Sequence, residues 1–430
     1  MMFNIIVRAR KDAKAIQYIN ERNYGGYLKV SSLGGGRKLS EVEDNLREAL
    51  SDPYIPIFLF GEKEKELANE VIKEVNKPSF IRILRTKKVR NMRVDELYEN
   101  IEDIKARFRL GVEWVENLKA YKFEPENPIG LEVNPDYDIY FALGEGFRKN
   151  MIDLLGIDPG DVALVLRKTM NVEEYYSGPH RIAEVSKIIG RPTEVKWRIP
   201  ALEEVSLDKT IKVNMSYLEA FERASLAFLE RFQDRNAIVP WSGGKDSTAA
   251  LILARKVFDD VTAVYVKMEY EMPLTDEYVE EVASKLNINL VKVEVPMPIH
   301  KYGLPTHSNR WCTRMKVEAL YNAIKDIENP VLIVGDRDSE SAKRRLKPPV
   351  VERETSFGRI LEVMPLKFWS GAMVQLYILA SGIKLHPLYY QGFYRLGCTV
   401  CPSLAQWEID LLEKLNYLPE VMKNRKVSGA

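Results

Sequence analysis

A run of small and polar residues, Ser242-Gly243-Gly244-Lys245-Asp246-Ser247, separates an apolar stretch, Ala237 to Trp241, from Thr248 to Val257, which has a helical apolar face. A strand, a small-residue turn and a helix start together make an anion site. Glycines let backbone N–H groups approach phosphates, and the helix end favours negative charge. The hydroxyls of Ser242 and Ser247 add donors, and Lys245 adds a point charge. Asp246 is an odd neighbour for phosphates unless it holds a metal or orients the loop. The string is not a Walker A loop, which needs G-x-x-x-x-G-K-[ST].

From residue 236 strands and helices alternate. Val261 to Val266, Leu290 to Val295 and Val331 to Val334 are β-rich apolar runs, which predict an α/β fold with a doubly wound parallel sheet. Ligands of such sheets bind beyond the carboxyl ends of the strands. Gly335 to Arg344 follows Val331–Val334 directly, so it falls there. Within it Arg337 and Arg344 suit bidentate phosphate or sulfate contact, while Glu340 suits orienting one of them or binding magnesium. The plain alternative is a solvated loop with an Arg–Glu ion pair.

Four motifs, in the right order over about residues 235 to 410, resemble the PP-loop ATP pyrophosphatase superfamily (adenine nucleotide alpha-hydrolase-like). Within it they look like the phosphoadenosine phosphosulfate (PAPS) reductase branch. Ser242–Ser247 looks like its S-G-G-x-D-S loop, and Gly335–Arg344 like its G-x-R-x-x-E-S-x-x-R segment. Cys312 to Leu320 is similar to a C-x-x-x-K-x-x-x-L helix, and Pro387-Leu388-Tyr389 through Gly397-Cys398-Thr399-Val400-Cys401 to a P-L-Y…G-C-x-x-C segment. The resemblance implies ATP or a related adenine nucleotide at Ser242, Gly243, Gly244, Lys245, Asp246 and Ser247, with Gly335, Arg337, Glu340 and Arg344 as further contacts. It implies Mg²⁺ placed with help from Asp246, phosphates stabilised by Lys245 and Arg337, and adenine or ribose near Lys267-Met268-Glu269. It leaves room for a homodimer, which no residue demonstrates.

Three cysteines in 430 residues make no disulfide framework. Cys398 and Cys401 form a C-x-x-C between Gly397 and Pro402, and Cys312 stands 86 positions earlier. Soft thiolates select iron–sulfur or zinc. Three readings stand in this order: a [4Fe–4S] cluster held by three corners, zinc completed by a histidine such as His307 or a carboxylate, or no metal. Related families usually carry four cysteines, commonly a C-C pair where this chain has Trp311-Cys312.

At 430 residues the chain predicts two or three domains. Residues 1–123 alternate short apolar runs with helical stretches and read as a small α/β domain. Glu124 to Pro128 reads as a linker, and 129–213 as an α+β module whose one helix spans Pro179 to Ile189. Residues 214–430 read as the PP-loop unit, entered through an amphipathic helix from Tyr217 to Phe232. Net charge is +1, so contact with nucleic acid requires a local patch. Arg82, Arg85, Lys87, Lys88, Arg90 and Arg93 supply one, with no acid among them, and make RNA (tRNA) a candidate partner; a solvated face is the plain alternative. Gly34-Gly35-Gly36-Arg37-Lys38 reads as a flexible turn rather than a second phosphate loop. No run of 18 apolar residues occurs, so neither a membrane partner nor a location outside the cytoplasm is expected.

The resemblance and the residues together rank ATP-dependent sulfur transfer first, as an RNA-thiolating enzyme with a cluster delivering sulfide. PAPS or adenylylsulfate reduction ranks second, because the tail after Cys401 holds no further cysteine and no E-C-G-[IL]-H string. A nucleotide-binding regulator or ribonucleoprotein component, with the pocket but no turnover, ranks third.

Overall fold

The computed structural model describes residues 2–355 and 358–423; the tail from 424 on, read above for its lack of cysteine, lies outside them. Three sheets follow one another along the chain. The first is all parallel: β1 (Phe3–Val7), β2 (Lys29–Ser32), β3 (Ile55–Gly61) and β4 (Phe80–Leu84), in the order β2-β1-β3-β4. Its central strands β1 and β3 are buried at every position, which is why they read as unbroken apolar runs rather than alternating ones. The crossover helices bury one stripe each, for example Val42, Leu46 and Ala49 of the helix Leu39–Ser51.

A hairpin, β5 (Val112–Val115) and β6 (Ala120–Phe123), leads into an antiparallel meander. Its strands are β7 (Asp138–Leu143), β8 (Val162–Arg167), β9 (Val172–Ser177), β10 (His180–Ser186) and β11 (Glu194–Arg198), in reverse sequence order across the sheet. The helix expected over Pro179–Ile189 is therefore strand β10. Gly178, at φ +59°, and Pro179 make a two-residue hairpin loop, with Ser177 opposite His180. Register shifts after Arg181 and Glu184 place Ile182, Ala183 and Val185 all inward. Those bulges give the strand a spacing that imitates a helical face. The helices within 129–213 lie elsewhere, at Gly144–Leu155 and Leu207–Val213.

The third sheet runs β14-β13-β12-β15-β17-β16, with β12 (Asn236–Pro240), β13 (Val261–Met268), β14 (Asn289–Val295), β15 (Pro330–Ile333), β16 (Val350–Thr355) and β17 (Gly358–Val363). Five strands are parallel and β16 alone is antiparallel, on the edge. The fold of this unit is α/β and doubly wound. Its strand order reverses between β12 and β15, so the loops after these two strands flank one crevice.

The units share a core. Phe3 and Phe108 of the first stack with Phe221 and Phe368 of the third. The free edge of β7 is covered by the apolar helix Gly371–Ala380. There the Gln375 side chain pairs with Phe141 as a neighbouring strand would, donating to its carbonyl and accepting from its N–H, both at 2.8 Å. Among the described residues no helix is long and apolar enough to cross a membrane.

Candidate active site

β12 ends at Pro240, and the helix Lys245–Val257 begins five residues later. Gly243 takes φ +70°, and a Cβ there would lie 3.0 Å from the Thr275 methyl, so the turn needs glycine twice over. The turn is held from inside. Ser247 Oγ donates to the Gly244 carbonyl at 3.1 Å and accepts from the Ser242 N–H at 3.3 Å. The Lys245 N–H donates to Tyr389 Oη at 2.9 Å. Across the crevice, Gly335 lies so close that a Cβ on it would sit 2.6 Å from the Asp246 carbonyl carbon.

Between these loops opens a cavity of about 760 Å³. Ser242, Gly244, Asp246 and Ser247 form one wall, and Gly335, Glu340 and Arg344 another. The segment 389–404 closes it through Tyr389, Arg395, Cys401 and Ser403. Arg310 and Lys316 add cationic lining that the sequence reading did not single out.

Two of the expected contacts stand behind this wall instead of in it. Arg337 is 1% exposed. Its Nε donates to Asp246 Oδ1 at 2.6 Å, and its Nη1 to Asp138 Oδ2 and Ser339 Oγ, each at 2.8 Å. Lys245 is 2% exposed, its Nζ 2.9 Å from Asp246 Oδ2 and 4.6 Å from the Tyr394 ring centre. Asp246 is the member of this cluster that reaches the cavity. Burial pushes its carboxyl up, but the Arg337 and Lys245 charges outweigh that and hold it at about 2. Glu340 moves the other way, raised by burial and by the nearby Asp246 charge. It receives the Arg337 N–H at 2.9 Å and pairs with Arg344 at 2.5 Å.

Residues 236–404 match the family model described as "Phosphoadenosine phosphosulfate reductase domain", beginning on the first residue of β12. This segment resembles that family's domain. Among similar proteins are two uncharacterised ones from Methanocaldococcus jannaschii, each 28% identical over 49% of this chain and over 46% and 53% of their own lengths. The chain thus spans about half the length of these relatives. A phosphoadenosine 5′-phosphosulfate reductase of Klebsiella pneumoniae is 24% identical over 50% of this chain and 89% of its own. A solved phosphoadenylyl-sulfate reductase from Candida auris is 20% identical, covering 45% of this chain and 96% of that one at a TM-score of 0.33, a likeness that carries no weight by itself.

The PAPS-reductase-type domain places its cysteines at one corner of the cavity. Cys401 lines it, and an isolated bridge pairs Cys398 with Glu271. Burial, then the Glu271 carboxylate, pushes the Cys398 thiol up, and Cys401 and Cys312 lie near enough to add to that shift. Cys312 packs with Cys398 against one apolar cluster and Cys401 against another. Among the described residues no group of three His, Cys, Asp or Glu side chains is arranged to hold a metal ion, and His307 is exposed. The side chains thus fit neither the expected cluster nor zinc. Lys267–Glu269 also stay off the cavity, whose wall takes Glu271 and Met272 instead. Lys267 pairs with Asp276, and Glu269 accepts the Met297 N–H at 2.6 Å.

The residue that sequence reasoning missed most completely is Asp138. It lies in β7, 199 positions before Arg337 in sequence, and is fully buried. Besides Arg337 it receives the Gly371 N–H and the Tyr394 hydroxyl, both at 2.9 Å. Its one trace in sequence is an acid opening an otherwise apolar strand. Asp338 is the second case. Also fully buried, it takes Lys367 Nζ at 2.6 Å and lies 3.6 and 3.7 Å from the cations of Lys105 and Arg109 in the first unit. All three units therefore meet at Arg337-Asp338, directly behind the anion loop.

Proposed function

We propose that the PAPS-reductase-type domain binds ATP in the 760 Å³ cavity and uses it for sulfur transfer to RNA. The observation that carries this reading is a complete S-G-G-K-D-S loop opening onto a wall that also bears the Cys401 thiol. The loop N–H groups and the helix end would receive the phosphates, with Arg344 and Arg310 as side-chain cations. Mg²⁺ is ordinarily held by one or two carboxylates plus substrate phosphates, and Asp246 is the loop carboxylate on the wall. When bound, it would neutralise charge at the phosphates.

An acceptor carbonyl oxygen attacks the α-phosphorus, the α–β bond breaks and pyrophosphate leaves. A sulfide-level donor then attacks the activated carbon, and AMP departs with the oxygen. Lys245 and Arg337 act in this scheme as positioning residues: they fix the Asp246 carboxylate in its ionised form. No step runs through a metal cluster.

The competing reading is reduction of a sulfonucleotide, favoured by the reductase relatives and by the cations Lys316 and Arg395 on the same cavity. One experiment separates the two. The protein is incubated with ATP, Mg²⁺, sulfide and a tRNA transcript, and in parallel with PAPS and thioredoxin. AMP and pyrophosphate with sulfur in the RNA support transfer; sulfite from PAPS supports reduction. Nucleotide binding without either product would leave a regulator.

A further inference from the structure

The carboxyl end of the first sheet is a second charged surface, and the mechanism above does not use it. Four loops meet there, one after each parallel strand, covering residues 8–12, 33–41, 61–66 and 85–93. They are tied into one rim. The Gly35 N–H donates to the Arg8 carbonyl at 2.8 Å, the Glu62 N–H to the Thr86 carbonyl at 2.9 Å, and the Arg90 N–H to Asp12 Oδ1 at 3.1 Å. Gly61 packs so tightly on the Lys87–Lys88 backbone that a Cβ would sit 2.6 Å from it.

These loops hold twelve Lys and Arg against five Asp and Glu, a net of +7 in a chain whose total is +1. Two of the acids are consumed inside the rim, Glu64 by Arg8 at 2.5 Å and Asp12 by Arg90 at 3.0 Å. Arg37, Lys38, Arg85, Lys87 and Arg93 form no ion pair among the described residues, and all five are exposed. A solvated face of an ordinary domain carries the two signs in near balance; here cations outnumber acids by more than two to one.

We propose that this rim is the docking surface for a folded RNA. The inference rests on the sulfur-transfer reading for its choice of RNA. No exposed large apolar side chain lies in the four loops, so nothing would enter a bilayer, and no exposed aromatic ring offers a stacking platform for single strands. Cations without stacking partners bind phosphates, which means shape-selective, sequence-tolerant contact with helical nucleic acid. RNA is favoured over duplex DNA because the acceptor base has to enter an enclosed cavity, and RNA loops present bases already out of the stack. The rim and the site are joined by the helix Val94–Leu110. It starts beside Arg93 and reaches Asp338 through Lys105, a span of about 18 Å at 1.5 Å per residue. The rim is thus tied through the interior to the residues behind the anion loop.

The test uses the full chain with three probes: a labelled tRNA transcript, a DNA duplex of equal length, and phosphatidylserine vesicles. The variant carries Arg37→Glu, Lys38→Glu, Arg85→Glu and Lys87→Glu, with a thermal midpoint expected within about 2 °C of wild type. Expected is transcript binding weakened roughly 100-fold, with the slope of log K against log salt shallower by about 3–4. Unchanged transcript binding in the variant overturns the rim, and equal binding of the DNA or the vesicles overturns the assignment to RNA. AMP release measured on the same samples keeps the two readings apart. Loss of binding in the variant, with no RNA-dependent AMP release by wild type, sinks sulfur transfer and spares the rim. Full RNA-dependent release by the variant, at an unchanged KM for RNA, does the reverse.

Discussion

The first and third units are both parallel sheets that present their strand ends to a ligand, yet they treat charge in opposite ways. Behind the third sheet's loops, Arg337, Lys245 and Asp138 are buried and ion-paired within one cluster, and its fourth member, the partly exposed Asp246, reaches the cavity. On the first sheet the cations stand in solvent, mostly without partners. The difference follows from enclosure. The segment 389–404 covers the third sheet's crevice, and buried charges there must be paired or they would cost several kcal/mol each. Among the described residues nothing covers the exposed cations of the first rim, so they keep their hydration. One architecture thus yields a small, organised pocket in one place and an open charged face in another.

Removing Arg337 should break this contrast most visibly. Arg337→Leu leaves the buried Asp138 without its cation and Asp246 with Lys245 alone, and about 3–5 kcal/mol of stability should go, read by urea unfolding. A loss below about 1 kcal/mol would mean that the buried cluster is not holding the units together. Asp246→Asn should keep most of the fold but lower pyrophosphate release by about 10²–10³-fold. Undiminished release would remove Asp246 from the chemistry.

The covering segment itself is acid-sensitive. His386 accepts the Leu388 N–H at 3.2 Å and so holds the turn that brings Tyr389 to the loop; burial pushes its pKa down to about 4. The folded protein therefore binds fewer protons than the unfolded chain between pH 6.5 and 4. Stability should be full above pH 6.5 and fall by about 3 kcal/mol as pH drops through that window. His386→Gln should flatten the profile measured by urea midpoints, and an unchanged slope would assign the effect to other groups.

Gly335→Ala tests closeness alone, since its Cβ would meet the Asp246 backbone at 2.6 Å. Nucleotide affinity should weaken about tenfold, measured by calorimetry, with little change in fold. The smallest effect belongs to the open face. Arg93→Ala should change stability by less than about 0.5 kcal/mol, because the exposed side chain has no ion-pair partner among the described residues. A larger loss would show that the rim is structural.

Much of the third unit was legible because its signals are local. A strand, a glycine turn and a helix start within twenty residues announce both the parallel sheet and the anion loop. Strand β10 was misread for an equally local reason: its bulges displace inward residues to spacings of three. The cysteines left three readings open because spacing alone does not say which way thiols point or how deeply they are buried, and the described side chains give the cluster no support.

Local chemistry fixed the doubly wound fold of the third unit, the loop that faces the cavity and the charge run after β4. These depend on residues near one another in the chain, so periodicity and turn chemistry suffice. Tertiary structure decided the rest. It turned Arg337 away from the cavity toward Asp138, gathered four loops into one basic rim, and left the three thiols without a metal-holding arrangement. Pairing of buried charges is settled by which groups lose their water together, and that depends on how distant segments pack.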